Sequence, residues 1–397
     1  MLSQWIDSTD RKHAVTTTAA DTLTVALHVL TGAGFGQPYS FASGTTAIPK
    51  GHKMSYRQAL IVMLQGFIPM MIFSHEFLLK SWLPKGMQDI GLAVKEFKQY
   101  MTEMIDRERW LLEKRAPNDS GNLISSLIRA SEDGKAELNS LSDEEIMGNL
   151  FIYNLAGHET TANTLAYAIL CLSIHPEVQD WLHEEIVSVL RNQKAGIEGW
   201  KYEDVFPHLQ RCLAAMYETL RLYGPVPELK RHTASSSQVL VINGRDHVIA
   251  PDTFVVMNNV AIQTNPKYWG KDAAEWNPKR WIEATDPKPE QNGDGQESHC
   301  SEEKLKAEPS KGCYKPWFDG SPRVCPGKKF SQVEFVAVIV KLLQSYKVRP
   351  EPLQTENGVE SWEKTKDRVK GVVKDSEQHI TLQMRNPSSV GLIWERR

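Results

Sequence analysis

The sequence predicts a mainly α-helical chain with small β-sheets, an α+β arrangement. Three observations predict it. Apolar residues recur at helical spacing over about thirty residues, from position 142 to 174. A second stretch, 92–114, is amphipathic, with Val94, Phe97, Met101, Met104 and Ile105 on one face and Lys95, Glu96, Lys98, Glu103 and Arg107 elsewhere. The period then drops to two at Gln238–Ile242, where Asn243-Gly244 leads into a second short run, His247-Val248-Ile249.

The bulk properties set bounds. The chain has 397 residues, 41% of them apolar, with material for a large core. A net charge of −3 shows no basic signature of nucleic-acid binding. Five cysteines, at 171, 212, 300, 313 and 325, are scattered and include no C-x-x-C pair. Neither a disulfide framework nor a zinc ribbon is expected, and a reducing setting fits. No signal peptide is read at the start.

In chain order, residues 19–30 read as a helix that opens near Asp21 and ends in Gly32, Gly34 and Gly36. Residues 37–55, rich in Gly, Pro, Ser and Thr, read as a loop. Residues 56–79 are apolar and helical, interrupted near Pro69. Within them, 59–73 is short of a membrane span and carries Gln65 and Pro69. A core helix is expected there rather than a patch dipping into a membrane surface. Ser142 and Glu145 form a capping box for the long helix, which His175-Pro176 stops. So long a helix is expected to cross the middle of the domain. Inside it lies Ala156-Gly157-His158-Glu159-Thr160-Thr161. Gly is costly in a helix interior, and Thr hydroxyls bond back one turn and bend the helix. A break beside an acid and an alcohol suits a site that needs space and protons.

Pro176 opens the next helix, 176–191. Residues 209–222 follow, with Glu218 and Arg221 three apart on one face. Another strand is expected at 253–257, and Arg280 stands between Trp276 and Trp281. Residues 284–315 are polar and read as a mobile insertion; Cys300 and Cys313 fall in or beside it. Late strands are expected at 346–349 and 379–385.

Between these comes Trp317-Phe318-Asp319-Gly320-Ser321-Pro322-Arg323-Val324-Cys325-Pro326-Gly327, followed by a helical run from Lys328. A lone cysteine is most often a small buried hydrophobe. A thiolate at a helix N-terminus, however, is stabilised by free backbone N–H groups and the dipole. One metal chemistry that wants a single thiolate is haem iron in an oxygen-activating enzyme.

Three separated pieces then coincide, and over about residues 15–395 the chain resembles the cytochrome P450 superfamily in its microsomal-type fungal form. Phe318, Arg323, Cys325 and Gly327 match the family's Phe-x-x-Gly-x-Arg-x-Cys-x-Gly pattern. Ala156, Gly157, Glu159, Thr160 and Thr161 match Ala/Gly-Gly-x-Asp/Glu-Thr-Thr. Glu218 and Arg221 match Glu-x-x-Arg, and Arg280 matches the arginine that completes that triad. There are two departures. Ser321 stands where the family has Gly, with Gly320 one place earlier, so the turn that wants positive φ is expected to shift. The chain also begins after the family's anchor, first β-sheet portion and early helices, so a single P450-like domain over 1–397, shortened at its N-terminus, is expected.

The resemblance implies heme b with Cys325 as axial iron ligand, Arg323 on a propionate, Phe318 shielding the thiolate, and Gly327, Ala156 and Gly157 lining the cofactor. It implies Thr160 and Glu159 as the catalytic proton-handling pair, and Glu218, Arg221 and Arg280 as a structural lock. Leu155 and Ala156 are expected to face a pocket for a small, mostly apolar substrate of fungal secondary metabolism. Electrons would come from NADPH through NADPH–cytochrome P450 reductase. Lys328 and Lys329 are read as a solvated charge pair. The resemblance places the protein on the cytosolic face of the endoplasmic reticulum membrane, with peripheral contact through residues 59–73 if they are exposed. The alternative expectation is a shortened paralogue without catalytic function, one that binds no haem or binds it without turning over.

Overall fold

The structure, a computed structural model, describes residues 1–10, 13–39, 41, 46–114, 121–133, 141–191, 200–284, 303–320, 322–356 and 358–397. It divides into two compact units: Met1 with Thr17–Ala162, and Leu2–Thr16 with Asn163–Arg397. Helix α1 (Leu2–Asp10) belongs to the second unit.

The first unit is helical. Helix α2 (Thr18–Val29) runs into a π-helical turn, Leu30–Gly34. Three short helices follow: α3 (Tyr56–Gln65), α4 (Phe67–Ile72) and α5 (His75–Leu78). Ser55 and Ser74 cap α3 and α5, their hydroxyls accepting from Gln58 N and Phe77 N. Helix α6 (Lys85–Leu112) lies along α3 and α5, and α7 (Leu123–Asp133) packs on α6. Tyr56, Leu60, Met63, Phe97, Met101, Met104, Ile124, Ile128 and Leu150 share one buried cluster. Each fully buried apolar side chain of this kind is worth roughly 1.5–3 kcal/mol. Close packing fixes Gly91 of α6, where an added Cβ would lie 2.8 Å from Leu78 Cβ and 3.0 Å from the His75 carbonyl oxygen.

Helix α8 (Asp143–Ser173) starts in the first unit and ends in the second. The capping box forms as read: Ser142 N donates to Glu145 Oε2 (2.8 Å) and Glu145 N to Ser142 Oγ (3.3 Å). The helix runs uninterrupted through Gly157. The Thr160 hydroxyl donates to the Ala156 carbonyl (2.9 Å) and Thr161 to that of Gly157 (3.4 Å), so the alcohols bond back without breaking the helix.

In the second unit, α9 (Pro176–Arg191), α10 (Tyr202–Val205) and α11 (Gln210–Tyr223) follow α8. Six two-stranded antiparallel sheets occur among the described residues. Strand β1 (Glu228–His232) pairs with β4 (Phe254–Asn258), Glu228 opposite Asn258. Strands β2 (Gln238–Ile242) and β3 (Arg245–Ile249) form the hairpin, with Asn243 and Gly244 both at positive φ (51° and 74°), as a type I′ turn requires. Helices α12 (Asn259–Gln263) and α13 (Pro266–Trp269) come next. Strand β5 (Ile282–Ala284) pairs with β6 (Glu303–Leu305), α14 (Lys328–Leu343) follows the cysteine loop, and β7 (Tyr346–Pro350) comes after it. Strands β8 (Gln354–Thr355) and β9 (Gly358–Val359) precede α15 (Trp362–Lys374); β10 (Ser376–Gln378) pairs with β11 (Leu382–Met384), and β12 (Leu392–Arg396) with β7. Trp5 of α1 stacks on Trp394 at 5.1 Å.

The structure corrects several expectations. The apolar run breaks at Gly66 rather than at Pro69. An added Cβ at Gly66 would meet Ile90 Cγ1 at 2.4 Å, so the side chain of α6 takes that space. Pro69 sits in the first turn of α4, where its missing N–H costs nothing. The core reading of 59–73 holds for Ala59, Leu60 and Met63 but fails for Ile68, Met71, Ile72 and Phe73, which are exposed. Helix α6 starts at Lys85, well before 92. Of 284–315, residues 285–302 with Cys300 lie outside the described residues, and Glu308 accepts from Gly312 N (2.9 Å) and Tyr314 N (3.0 Å).

Candidate functional site

The second unit holds two of the predicted clusters. Glu218 and Arg221 sit on α11, both buried, because residues three apart share a face and that face packs inward. Arg221 Nε donates to Glu218 Oε2 and Nη2 to Oε1, both at 2.8 Å. The remaining guanidinium protons go to the carbonyls of Gln263 (2.7 Å), Ala273 (2.6 Å) and Glu275 (3.1 Å). All five donors of the fork are used. Glu218 also accepts from Arg280 Nε (2.9 Å), Asn277 N (2.9 Å) and Trp281 Nε1 (2.9 Å). The indole of Trp269 lies under the guanidinium of Arg221 at 4.9 Å. Arg280 reaches outward to Asp272 Oδ2 (2.8 Å). Sequence reasoning placed Trp281 beside Arg280 but missed its indole as a donor to Glu218, along with Asn277 and the three carbonyls. No local pattern signals a carbonyl facing a guanidinium from another loop.

The cysteine loop is tightly held. Cys325 N donates to the Trp317 carbonyl (2.9 Å), and Trp317 Nε1 to Ser331 Oγ on α14 (3.3 Å). Phe318 and Gly320 have positive φ, 60° and 80°. The left-handed position that only Gly takes without strain thus falls on Gly320, one place before Ser321, which lies outside the described residues. Gly327 is the N-cap of α14, and a Cβ there would stand 3.8 Å from Cys325 Sγ. Cys325 is half-buried, whereas Cys171, Cys212 and Cys313 are buried. Burial pushes the Cys325 thiol up; the Gly327 N–H pulls it down less, and Asp319 adds to the rise. A bound cation deprotonates a coordinating thiol outright. Arg323 and Val324 are exposed beside it. Lys328 pairs with Asp319 (2.8 Å) over the Trp317 ring, and the exposed Lys329 lies 4.3 Å from the Phe206 centroid.

In the first unit, α8 presents two stripes. Leu150, Asn154 and His158 are buried, whereas Ile152 and Ala156 are exposed and Thr160 is half-buried. Glu159 and Leu155 are half-buried, and Gly157 packs on Leu30, its notional Cβ 3.4 Å from Leu30 Cδ2. Ile152 is a further residue on the open stripe that sequence reasoning missed.

The donor set suits a metal that brings its own ligands. Among the described residues no group of three His, Cys, Asp or Glu side chains is placed to hold a bare ion. One reachable thiol, a guanidinium and an exposed Val fit a flat, partly apolar cofactor with carboxylate arms. Haem has that chemistry.

Comparisons with known proteins agree. The family model for Cytochrome P450 matches residues 2–370. A cytochrome P450 monooxygenase of Arthrobotrys oligospora is 29% identical over 99% of this chain and 69% of its own length. A phomenoic acid biosynthesis cluster cytochrome P450 monooxygenase of Leptosphaeria maculans is 30% identical over 88% of this chain and 61% of its own. This chain therefore spans only part of such relatives. Among solved structures, a cytochrome P450 (CYP102L1) superposes with a TM-score of 0.68 at 17% identity, covering 100% of this chain and 75% of that one. The chain belongs to the cytochrome P450 family.

Proposed function

We propose that the protein is a haem-thiolate monooxygenase that inserts one oxygen atom of dioxygen into a small, mostly apolar organic molecule, in fungal secondary metabolism. The observation that carries this is Cys325: the one half-buried thiol among the described cysteines, held by the Trp317 carbonyl and the Gly327 amide at the start of α14. Cys325 would ligate the iron of heme b, Arg323 would hold a propionate, and Phe318 and Gly327 would line the thiolate side. Bound there, haem supplies dioxygen activation. The chain supplies the ligand, the protons and the position of the substrate. The Thr160 hydroxyl, which donates to the Ala156 carbonyl (2.9 Å), would be the alcohol of the proton-handling pair. Glu159 beside it can exchange a proton with water. Glu218, Arg221 and Arg280 tie α11 to the segment before β5.

Ile152, Leu155 and Ala156 would meet the substrate. The relative from the phomenoic acid cluster and a ganoderic acid synthetase of Ganoderma lucidum, 30% identical over 62% of this chain, support a secondary-metabolic role. NADPH through NADPH–cytochrome P450 reductase would supply electrons. No helix among the described residues is long and apolar enough to cross a membrane. Residence on the cytosolic face of the endoplasmic reticulum would rest on the exposed Ile68, Met71, Ile72, Phe73 and Trp82, with the exposed Lys80 and Lys85 in the same stretch of sequence.

The deciding experiment is the reduced carbon-monoxide difference spectrum of the chain beside Cys325→Ala. A thiolate-type Soret band that is lost in the variant is expected. No haem, or a neutral-ligand band in both, would refute the proposal and place the chain with inactive paralogues.

A further inference from the structure

The buried stripe of α8 carries polar groups that the proposed chemistry does not use. Asn154 and His158 are both buried, on the side of the helix opposite Ile152 and Ala156. Residues four apart share a face, whereas two residues turn the helix by roughly 200°. Asn154 is fully paired. Its Oδ1 accepts from the hydroxyl of Tyr56, a buried residue of α3. Its Nδ2 donates to the Leu150 carbonyl (2.8 Å) and lies 3.7 Å from Met101 Sδ of α6. Its own carbonyl takes His158 Nδ1 at 2.6 Å. A carbonyl only accepts, so His158 carries its proton on Nδ1. Burial lowers the affinity of that imidazole for a second proton. Tyr56 is held in turn, edge-on to Tyr100 at 5.4 Å and stacked with Phe97 at 6.2 Å.

We propose that Asn154, held by Tyr56 of α3 and against Met101 of α6, fixes the rotation of α8 about its axis, and that His158, donating to the Asn154 carbonyl, is a positioning residue that stiffens the turn between this clamp and the open-side pair Thr160 and Glu159. The inference rests on the monooxygenase reading for its purpose, but its geometry is independent of haem. Back-donation from Thr160 and Thr161 loads the Ala156 and Gly157 carbonyls with a second donor, and Gly157 offers no side chain to resist twisting. This turn is therefore the pliable part of the helix. The clamp on its opposite face holds it to α3 and α6.

The test uses the full chain and three variants: His158→Phe, His158→Asn and Tyr56→Phe. Phe keeps a ring and removes the donor. Asn restores the donor, because Asn149 and Asn154 of this same helix already donate to the carbonyls four residues earlier, at 2.7 and 2.8 Å. The first readout is amide hydrogen exchange over residues 156–162 in the haem-free chain. His158→Phe and Tyr56→Phe should accelerate it about five- to tenfold, the scale of one lost hydrogen bond, while His158→Asn matches the parent. The second is the C–O stretching band of the reduced carbonyl complex in haem-loaded protein, which should shift or split in His158→Phe and not in His158→Asn.

Unchanged exchange in both donor-deleted variants would overturn the proposal. So would equal loosening in His158→Asn, or acceleration spread over the whole first unit, since either marks an ordinary packing residue. If His158→Phe does not fold, Tyr56→Phe decides alone. Absence of haem uptake by the parent would refute the monooxygenase reading, and the exchange measurement would still decide the clamp.

Discussion

Arg221→Lys is the most informative single change. Lysine keeps the charge but offers three donors from one point, where the guanidinium of Arg221 offers five in a plane. All five are used, on both oxygens of Glu218 and on the carbonyls of Gln263, Ala273 and Glu275. At least two buried acceptors therefore lose their partner, at about 1–3 kcal/mol each, for a total of about 2–6 kcal/mol. Against a net stability of about 5–15 kcal/mol, that is a large fraction. The assay is urea unfolding followed by tryptophan fluorescence, because Trp269 lies against the guanidinium and Trp281 donates to Glu218. Arg280→Lys is the control. Its outer contact, Asp272, is exposed, so water replaces what lysine cannot make, and the expected cost is under half that of Arg221→Lys. An Arg221→Lys variant within about 0.5 kcal/mol of the parent would refute the reasoning, because surface substitutions lie in that range. So would an Arg280→Lys variant that costs more.

Two other predictions concern pH and membranes. Burial pushes the Glu185 carboxyl up to about 7, against the pull of the Arg211 and Cys212 backbone N–H groups on α11 (2.7 and 3.1 Å). Between the ordinary carboxylate value of 4.5 and about 7 the folded chain keeps a proton that the unfolded chain releases, so this group lowers stability as pH rises through that window and levels off above it. Glu185→Gln should remove that slope, on the order of 3 kcal/mol, in urea midpoints compared across the window; parallel profiles for variant and parent would contradict it. Ile72→Glu combined with Met71→Glu should cut co-sedimentation with anionic phospholipid vesicles about tenfold or more, since both side chains are exposed and apolar. Equal binding by parent and variant would remove this patch from the membrane proposal.

The elements that local chemistry controls were legible in the sequence. The box of Ser142 and Glu145 sets the start of α8, Asn243-Gly244 sets the hairpin turn, and Pro176 opens α9, because each depends on groups within a few residues. The cysteine loop and the pairing of Glu218 with Arg221 were legible for the same reason. Contacts between distant segments were not. Gly66 breaks the apolar helix because Ile90 of α6 needs its space, which no pattern around Gly66 carries. Strand β1 has a mixed polar sequence and takes its register from β4. Tyr56 and Asn154 stand 98 positions apart, and only packing makes them partners. The family, the helical character and Cys325 as the candidate ligand could be read from residue patterns alone. Which face of α8 is anchored and which is open emerges from packing, because burial depends on neighbours that the chain brings together from far along its length.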